Sequence, residues 1–253
     1  MNKSLPLFVS NYSIGKSILT CERADDIDEN RPVSIFSIAQ KHGLQDVYIK
    51  DANFSGFIEQ YENAQDCEVN LRFGLQLMTC ADTTDKSDGS RNTESKIVIW
   101  LKNSNGYKSL LKIGSKAATE NFYYYPRISY KDLLEMWDDN LSLTIDFYDG
   151  FIAKNLLIYK ARCIPNFGGI DPLFFIEEHD LPFDDIIKDA TLRYCEENKY
   201  KILNSHTCYY YQEKDIKQYQ IFRCIDNRTN FNKPNLSFFS SNQFAFETWS
   251  KKQ

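Results

Sequence analysis

Histidine is scarce in this chain of 253 residues, which has only His42, His179 and His206. Its seven cysteines form no Cys-x-x-Cys pair, which argues against a zinc ribbon, and their odd number argues against a disulfide framework. No apolar run approaches the roughly 20 residues of a membrane-spanning helix. The N-terminal residues lack the apolar core and cleavage site of a signal peptide. We therefore expect a cytoplasmic protein with no membrane partner.

The charge balance is acidic, with a net charge of −5 and a pI near 5.3. Because DNA binding depends on Lys and Arg side chains that neutralise phosphates, we expect no direct nucleic-acid binding by this chain alone. Aromatic residues reach 15%, with 16 Tyr and 18 Phe. Tyr-rich surface is typical of protein interfaces, which favours a protein partner. The frequent Asn and Lys are typical of an AT-rich genome such as a phage's.

Apolar strands alternate with amphipathic helices along the chain. The sequence predicts strands at 5–10, 46–50, 69–78, 96–102, 141–148, 173–178 and 201–206, and helices at 33–43, 56–65, 107–119, 130–140, near 150–161, 183–199 and near 213–225, followed by an irregular end. Such alternation indicates parallel βαβ units, in either an open doubly wound sheet or a closed barrel. No Gly-x-Gly-x-x-Gly sequence follows any strand, which slightly favours the barrel.

One segment has no periodicity. Residues 81–95, ADTTDKSDGSRNTES, are polar throughout and predict a mobile loop. No internal repeat or break in composition marks a domain boundary, so we predict a single domain over 1–253.

Several blocks resemble the polymerase-and-histidinol-phosphatase (PHP) domain of the bacterial DNA polymerase III alpha subunit. IVIWLKNSNGYKSLLKIGSKA (97–117) is similar to its strand–turn–helix block, and FYYYPRIS (122–129) to the aromatic-Pro-Arg-Ile segment that follows. DLLEMWDDNLSLTI (132–145) and the segment 201–225 are similar to later blocks, in family order. The resemblance implies an α/β fold of the distorted (β/α)7 TIM-like barrel type.

Active members of the PHP family hold two or three metal ions with His, Asp, Glu and Cys side chains. The resemblance of SNYS (10–13) to a family segment places Leu7 and Val9 at the two positions of a His-x-His motif. An aliphatic side chain offers a metal no lone pair. The family's Asp-His pair falls within 50–52, so at most one carboxylate, Asp51, survives there.

The remaining ligand positions are altered in the same way. Gln76 stands where the resemblance implies a metal-bridging Glu, and Phe147 where it implies a Cys. Cys208 and Tyr219 stand at the last two His positions. His179 matches a histidine that follows a family strand. These positions predict a degenerate metal site and no metal cofactor, because closely spaced divalent ions need several anionic ligands.

The residues at the altered ligand positions also share a property. Leu7, Val9, Phe147 and Tyr219 are more apolar or larger than the ligands they replace, and the resemblance brings them to the barrel end where chemistry usually lies. We expect them to form packed core in place of a polar cleft. Glu177 and Glu178 end the strand predicted at 173–178 and are expected to be solvated charges.

The resemblance implies a catalytically inactive PHP-like domain acting as a structural or protein-interaction subunit in DNA replication. The partner implied is a polymerase or exonuclease subunit, including a split polymerase whose catalytic region is on another chain. Two alternatives remain open. One is a residual single-metal phosphoesterase using Asp51, His179, His206 and Cys208, and the other is a phage scaffold that binds a host replication protein.

Overall fold

The computed structural model describes residues 4–23, 27, 31–232 and 241–253. Strands and helices alternate through them. The strands are β1 (Leu5–Phe8), β2 (Asp46–Asp51), β3 (Asn70–Cys80), β4 (Ser95–Leu101), β5 (Arg127–Ser129), β6 (Leu141–Ile145), β7 (Leu173–Ile176) and β8 (Lys201–Cys208). The α-helices are α1 (Ile35–His42), α2 (Phe57–Asp66), α3 (Tyr107–Ala118), α4 (Tyr130–Glu135), α5 (Phe151–Leu157), α6 (Asp184–Asn198), α7 (Ile216–Asp226) and α8 (Phe246–Lys251).

The predicted fold class, an α/β fold of the distorted (β/α)7 TIM-like barrel type, is confirmed. The chain divides into two compact units, each assembled from separate stretches of sequence. Unit 1 contains described residues from 1–73, 177–184 and 204–253, and unit 2 contains 74–176 and 185–203. A single domain over 1–253 stays a prediction. No helix among the described residues is long and apolar enough to cross a bilayer.

In unit 1, β1 is the central strand. It pairs in parallel with β2, where Leu7 faces Tyr48, and with β8, where Leu7 faces Thr207. The helix α1 packs its apolar face into the core of this unit. Ser34 caps its start by accepting a hydrogen bond from the Phe36 amide, and Gly43, with φ of 63°, ends it in the left-handed conformation. The helix stop predicted at Gly43 is confirmed.

Unit 2 carries the strand order β7-β6-β4-β3-β5. The buried strand predicted at 96–102 is confirmed, because β4 has Ile97, Val98 and Ile99 fully buried. β4 runs antiparallel to both β3 and β6, so the expectation of parallel units throughout is wrong. The reason lies in the connection between β3 and β4, which has no α-helix. Antiparallel neighbours need no helical crossover, whereas parallel ones do.

That connection is the polar segment 81–95. It contains a 3-10 helix at Asp88–Thr93, and the guanidinium of the fully buried Arg127 donates hydrogen bonds to the carbonyls of Thr83 and Asp85, at 3.0 and 2.8 Å. Arg127 also forms an ion pair with the buried Glu94, with 3.4 Å between Nη1 and Oε1. The segment therefore has specific backbone partners, and its mobility stays a prediction.

Two local differences from the predicted elements have physical causes. The helix predicted over 130–140 ends at Glu135, and it cannot extend to Asn140 because the Asp138 carboxylate accepts a hydrogen bond from the Asn140 amide at 2.8 Å and forms a turn. The end of the chain, expected to be irregular, contains the helix α8. Its residues pair with the segment after β8, since the Phe246 amide donates to the Tyr210 carbonyl at 3.0 Å.

Candidate functional site

The first two predicted ligand positions lie on β1 and just after it. Leu7 is fully buried and Val9 is 5% exposed. The Val9 amide donates a hydrogen bond to the Cys208 carbonyl at 3.3 Å, which extends the pairing of β1 with β8. Both side chains are aliphatic and packed inside unit 1. Neither can donate electrons to a metal ion.

Asp51 ends β2 and is fully buried. Its carboxylate accepts four hydrogen bonds: from the Ser10 amide at 3.0 Å, the Ser10 hydroxyl at 2.6 Å, the Ser13 hydroxyl at 2.7 Å and the Gln60 amide group at 2.7 Å. Four donors are about the accepting capacity of a carboxylate. The charge of Asp51 is thus satisfied by dipoles of its own chain, which leaves no lone pair directed at a cation.

Gln76 and Phe147 belong to unit 2. The Gln76 side-chain amide donates a hydrogen bond to the Asp146 carboxylate, with 2.7 Å between Nε2 and Oδ2. Asp146 is buried, and Phe147, which is 2% exposed, packs edge-on against Tyr148. A glutamate at position 76 would place two carboxylates in hydrogen-bond contact and would need a cation or a shared proton between them. The neutral amide removes that requirement.

Glu177 is buried, so its expected place among solvated charges is wrong. Only 1% of it is exposed, and it accepts hydrogen bonds from the Thr207 amide at 3.0 Å and the Thr207 hydroxyl at 2.8 Å. The Ser205 hydroxyl lies 3.4 Å away and the Nδ1 atom of His179 lies 3.5 Å away. The Thr207 and Ser205 groups of β8 thus supply the hydrogen bonds that this buried carboxyl group needs.

His179 and His206 lie side by side in unit 1, with ring centroids 4.5 Å apart. The Nε2 atom of His179 lies 3.3 Å from the Thr207 carbonyl, and that of His206 lies 3.3 Å from the Ala245 carbonyl. Burial and the neighbouring imidazole lower the pKa of His179 well below its usual value. Burial lowers the pKa of His206 to about 4. Both rings are therefore neutral at pH 7.

Cys208 and Tyr219 are also buried. Burial is the main cause that raises the pKa of the Cys208 thiol well above its usual value, so the thiolate that a nucleophile or a metal ligand requires is disfavoured. The Tyr219 ring stacks on Tyr209, with centroids 5.3 Å apart. Burial thus disfavours both a thiolate at Cys208 and a protonated ring at His206.

Lys50 precedes Asp51 in β2 and is only 4% exposed. Its ammonium group acts electrostatically on both Cys208, whose pKa it lowers, and His179. Glu177 acts on the same thiol in the opposite direction. Lys50 and Glu177, both buried, thus shift the pKa of Cys208, which stands at a predicted ligand position.

The donor set does not fit a metal cluster. Among residues 4–23, 27, 31–232 and 241–253, no group of three or more His, Cys, Asp or Glu side chains has an arrangement that could hold a metal ion. This holds for Asp51, His179, His206 and Cys208, the four residues of the single-metal alternative. Unit 1 does contain a pocket of about 470 Å³, but its lining includes none of the predicted ligand positions.

Comparison with known proteins identifies the class. The model of the PHP domain family matches residues 28–162, which is more than half of the 253 residues, and the chain belongs to this family. It is similar to the DNA polymerase III alpha subunit of Borreliella burgdorferi, with 25% identity over 85% of this chain and 19% of the relative. The alpha subunit of Campylobacter jejuni is 24% identical over 81% of this chain and 18% of the relative. The chain spans less than a fifth of the length of either relative.

A solved structure is also similar. It is a Bifidobacterium adolescentis protein described as a metal-dependent phosphoesterase, with a TM-score of 0.44, 10% identity, and coverage of 81% of this chain and 88% of that one.

Several residues of the site were not predicted from sequence. Ser10 and Ser13 were noted only as part of a family segment, and Gln60 was not singled out. A buried carboxylate needs hydrogen-bond donors, and the two serines that follow β1 in sequence could have indicated them. Phe244 and Ala245, which contact the two histidines, lie in the end of the chain that was expected to be irregular. The apolar residues at 244–246 could have indicated that this part of the chain is buried.

Proposed function

We propose that this chain is a catalytically inactive PHP-like protein that serves as a structural and protein-interaction subunit in DNA replication. Its partner is a polymerase or exonuclease subunit, which includes the split arrangement in which a separate chain carries the polymerase region. The residues at the predicted ligand positions would then serve the stability of the fold rather than catalysis.

The observation that carries this proposal is the saturation of Asp51. Four donors of its own chain occupy the one carboxylate that remains among the aligned ligand positions of β1 and β2. Leu7, Phe147 and Tyr219, at three other positions, are each no more than 2% exposed. Metal-assisted phosphoester hydrolysis needs a metal ion to activate water and to neutralise the developing charge. These side chains offer no means to hold one.

The relatives support the replication context. The similar proteins are DNA polymerase III alpha subunits, and the similarity covers 85% of this chain in the Borreliella burgdorferi protein. A domain of this family whose ligand positions carry apolar side chains is expected to have a role other than catalysis. Binding to other proteins is the simplest such role, although a fold alone does not identify the partner.

The proposal is tested in two parts. The purified protein is analysed for metal content and assayed for phosphoesterase activity with added Mn²⁺ and Zn²⁺, with a metal-bearing PHP phosphoesterase as positive control. We expect no stoichiometric metal and no hydrolysis. Two or more metal ions per chain together with hydrolysis would overturn the proposal and make the chain an enzyme.

The second part concerns the partner. Tagged protein is purified from the cells in which it is naturally made, and co-purifying proteins are identified by mass spectrometry. We expect a polymerase or exonuclease subunit encoded with it. Enrichment of a host replication protein instead would favour the alternative of a scaffold that redirects the host.

A further inference from the structure

The end of α5 and the segment that follows it, in unit 2, expose a run of apolar side chains. Leu156, Leu157, Ile158 and Tyr159 are 47, 38, 53 and 87% exposed, and Ile164 is 82% exposed. Single exposed apolar residues are ordinary, but a contiguous group of them marks an interaction surface. We call residues 155–164 the apolar loop.

The apolar loop is closed by specific hydrogen bonds at its base. The Asn155 side chain donates to the Cys163 carbonyl at 2.9 Å and accepts from the Cys163 amide at 2.8 Å. The Arg162 amide donates to the Asn92 carbonyl at 2.7 Å, and the Cys163 thiol donates to the Glu94 carbonyl at 2.9 Å. The exposed side chains therefore project from a fixed backbone. A surface ordered in advance loses little conformational entropy on binding.

The sequence in and beside the loop is basic. Residues 151–170 contain Lys154, Lys160 and Arg162 and no Asp or Glu, in a chain with a net charge of −5. The Lys154 ammonium donates to the Arg91 carbonyl at 3.1 Å. The Arg91 guanidinium lies 4.5 Å from the ring centroid of Tyr124, which is 66% exposed. The apolar side chains thus have basic and aromatic neighbours.

We propose that the apolar loop is the docking surface for an acidic polypeptide segment of a partner protein, one that carries apolar anchor side chains. This inference rests on the proposed function and adds the location and the chemistry of the contact. Tyr and Arg are the residue types enriched where interfaces gain most of their binding energy. The basic residues favour an acidic partner because opposite potentials speed encounter and disfavour other partners.

The side chains fit a protein better than a nucleic acid or a membrane. Leu156, Leu157, Ile158 and Ile164 are aliphatic and cannot serve as faces on which bases stack. The Lys160 ammonium lies 5.4 Å from the ring centroid of Tyr159, over the face that a base would need. The helix α5 has seven residues, too few for an amphipathic helix that lies in a membrane interface.

Three double variants test the surface. The apolar variant is Tyr159→Ser with Ile164→Ser, and the charge variant is Lys160→Glu with Arg162→Glu. The matched control is Ile14→Ser with Ile225→Ser, at residues of unit 1 that are 74 and 69% exposed. All six side chains are exposed, so the fold should tolerate the changes. Equal thermal unfolding of the variants and the wild type checks this.

The probe is a library of random 16-residue peptides displayed on phage, selected on the wild-type protein. We expect enrichment of peptides with a net negative charge and at least one large apolar residue. Their affinity should fall at least tenfold on both the apolar and the charge variants and stay unchanged on the control. The surface is wrong if no peptide is enriched, if the enriched peptides lack acidic residues, or if they bind the variants as tightly as the wild type.

Two further probes separate the other classes of ligand. Tighter binding of a 20-nucleotide poly-dT strand, or of vesicles of phosphatidylcholine with phosphatidylserine, than of the best peptide would overturn the proposal in favour of nucleic acid or membrane. The co-purification described above is repeated with the apolar variant. If a replication subunit is retained equally, this surface is wrong and the proposed function stands. If acidic peptides bind the apolar loop but no replication subunit is captured, the proposed function is wrong and the proposed docking surface is supported.

Discussion

The ring of Phe244 lies flat against the imidazole of His179, with centroids 3.8 Å apart and planes 8° from parallel. Phe244 is fully buried at the end of a 3-10 helix, Asn242–Phe244, and its carbonyl accepts a hydrogen bond from the Tyr209 amide at 3.0 Å. A segment near the end of the chain therefore covers a predicted ligand position. An apolar ring in contact with an imidazole favours its neutral form, because burial disfavours charge.

Phe244→Ala should destabilise the protein strongly. Removing a buried phenyl ring leaves a cavity next to His179, and such substitutions cost about 3–5 kcal/mol of unfolding free energy. We expect the melting temperature to fall by about 10 °C. Phe231→Ala, at a residue 56% exposed, is the control and should change it little. Equal melting temperatures for the two variants would mean that the Phe244 contact contributes nothing to stability.

Asp51 variants should separate a structural carboxylate from a metal ligand. Asp51→Ala leaves the buried donors of Ser10, Ser13 and Gln60 without their acceptor, and we expect a loss of about 3–5 kcal/mol. Asp51→Asn should cost less, about 1–2 kcal/mol, because the Gln60 amide can rotate. The Oε1 atom of Gln60 has no hydrogen-bond partner in the wild type, and after this rotation it would accept a hydrogen bond from the new asparagine.

Urea unfolding with and without Mn²⁺ and Zn²⁺ measures both effects. A metal that bound the folded wild type at Asp51 would raise its stability in proportion to the logarithm of metal concentration. We expect no such increase for the wild type or for either variant. A metal-dependent increase that disappears in Asp51→Asn would restore the single-metal alternative.

Stability should rise with pH between about 4 and 6.5 because of His206. The pKa of His206 is lowered to about 4 in the folded protein, whereas an unfolded histidine titrates near 6.5. Between these values the unfolded chain binds a proton that the folded protein does not. The stabilising effect is fully present above pH 6.5 and is lost as the pH falls toward 4. A difference of this size amounts to about 3 kcal/mol.

Urea unfolding at intervals from pH 5 to 7.5 measures this dependence. His206→Gln should flatten the slope between pH 5 and 6 by about 1.4 kcal/mol per pH unit, the contribution of one proton. His42→Gln is the control, since the ring of His42 is more accessible and its pKa is lowered to a smaller degree. An unchanged slope in His206→Gln would show that His206 titrates alike in both states.

The fold could be predicted from sequence better than the polar interior. The buried strand at 97–99 and the helix stop at Gly43 depend on local signals, an apolar run and a glycine with positive φ. The burial of Glu177 depends on Thr207, a residue 30 positions away. A pair of adjacent glutamates has no local property that distinguishes a solvated carboxylate from a buried one. The stacking of Phe244 on His179 is non-local in the same way.

Arg127→Met should loosen the segment between β3 and β4. Arg127 donates to the carbonyls of Thr83 and Asp85, and its loss removes these contacts and leaves the buried Glu94 without its ion pair. We expect amide hydrogen exchange across 83–93 to become at least tenfold faster, a change of about 1.4 kcal/mol in the local opening free energy. Lys86→Met, at an exposed residue of the same segment, is the control. Rapid exchange already present in the wild type would confirm the mobile loop predicted from sequence.

The last prediction concerns Lys50 and Glu177. Both are buried in unit 1, and they shift the pKa of the Cys208 thiol in opposite directions. We expect the Lys50 ammonium to compensate the charge of Glu177 inside the unit. Lys50→Met then leaves a buried carboxylate uncompensated, which costs about 3–5 kcal/mol.

A double-mutant cycle with Glu177→Gln measures the coupling by urea unfolding. If the two charges compensate each other, the double variant is more stable than the sum of the single effects predicts, by at least about 1.5 kcal/mol. The more exposed pair of Lys116 and Asp132, 2.8 Å apart, is the matched control and should couple by less than about 1 kcal/mol. Additive effects of Lys50→Met and Glu177→Gln would mean that each charge is stabilised separately. The carboxylate would then depend on its hydrogen bonds from Thr207 rather than on an internal cation.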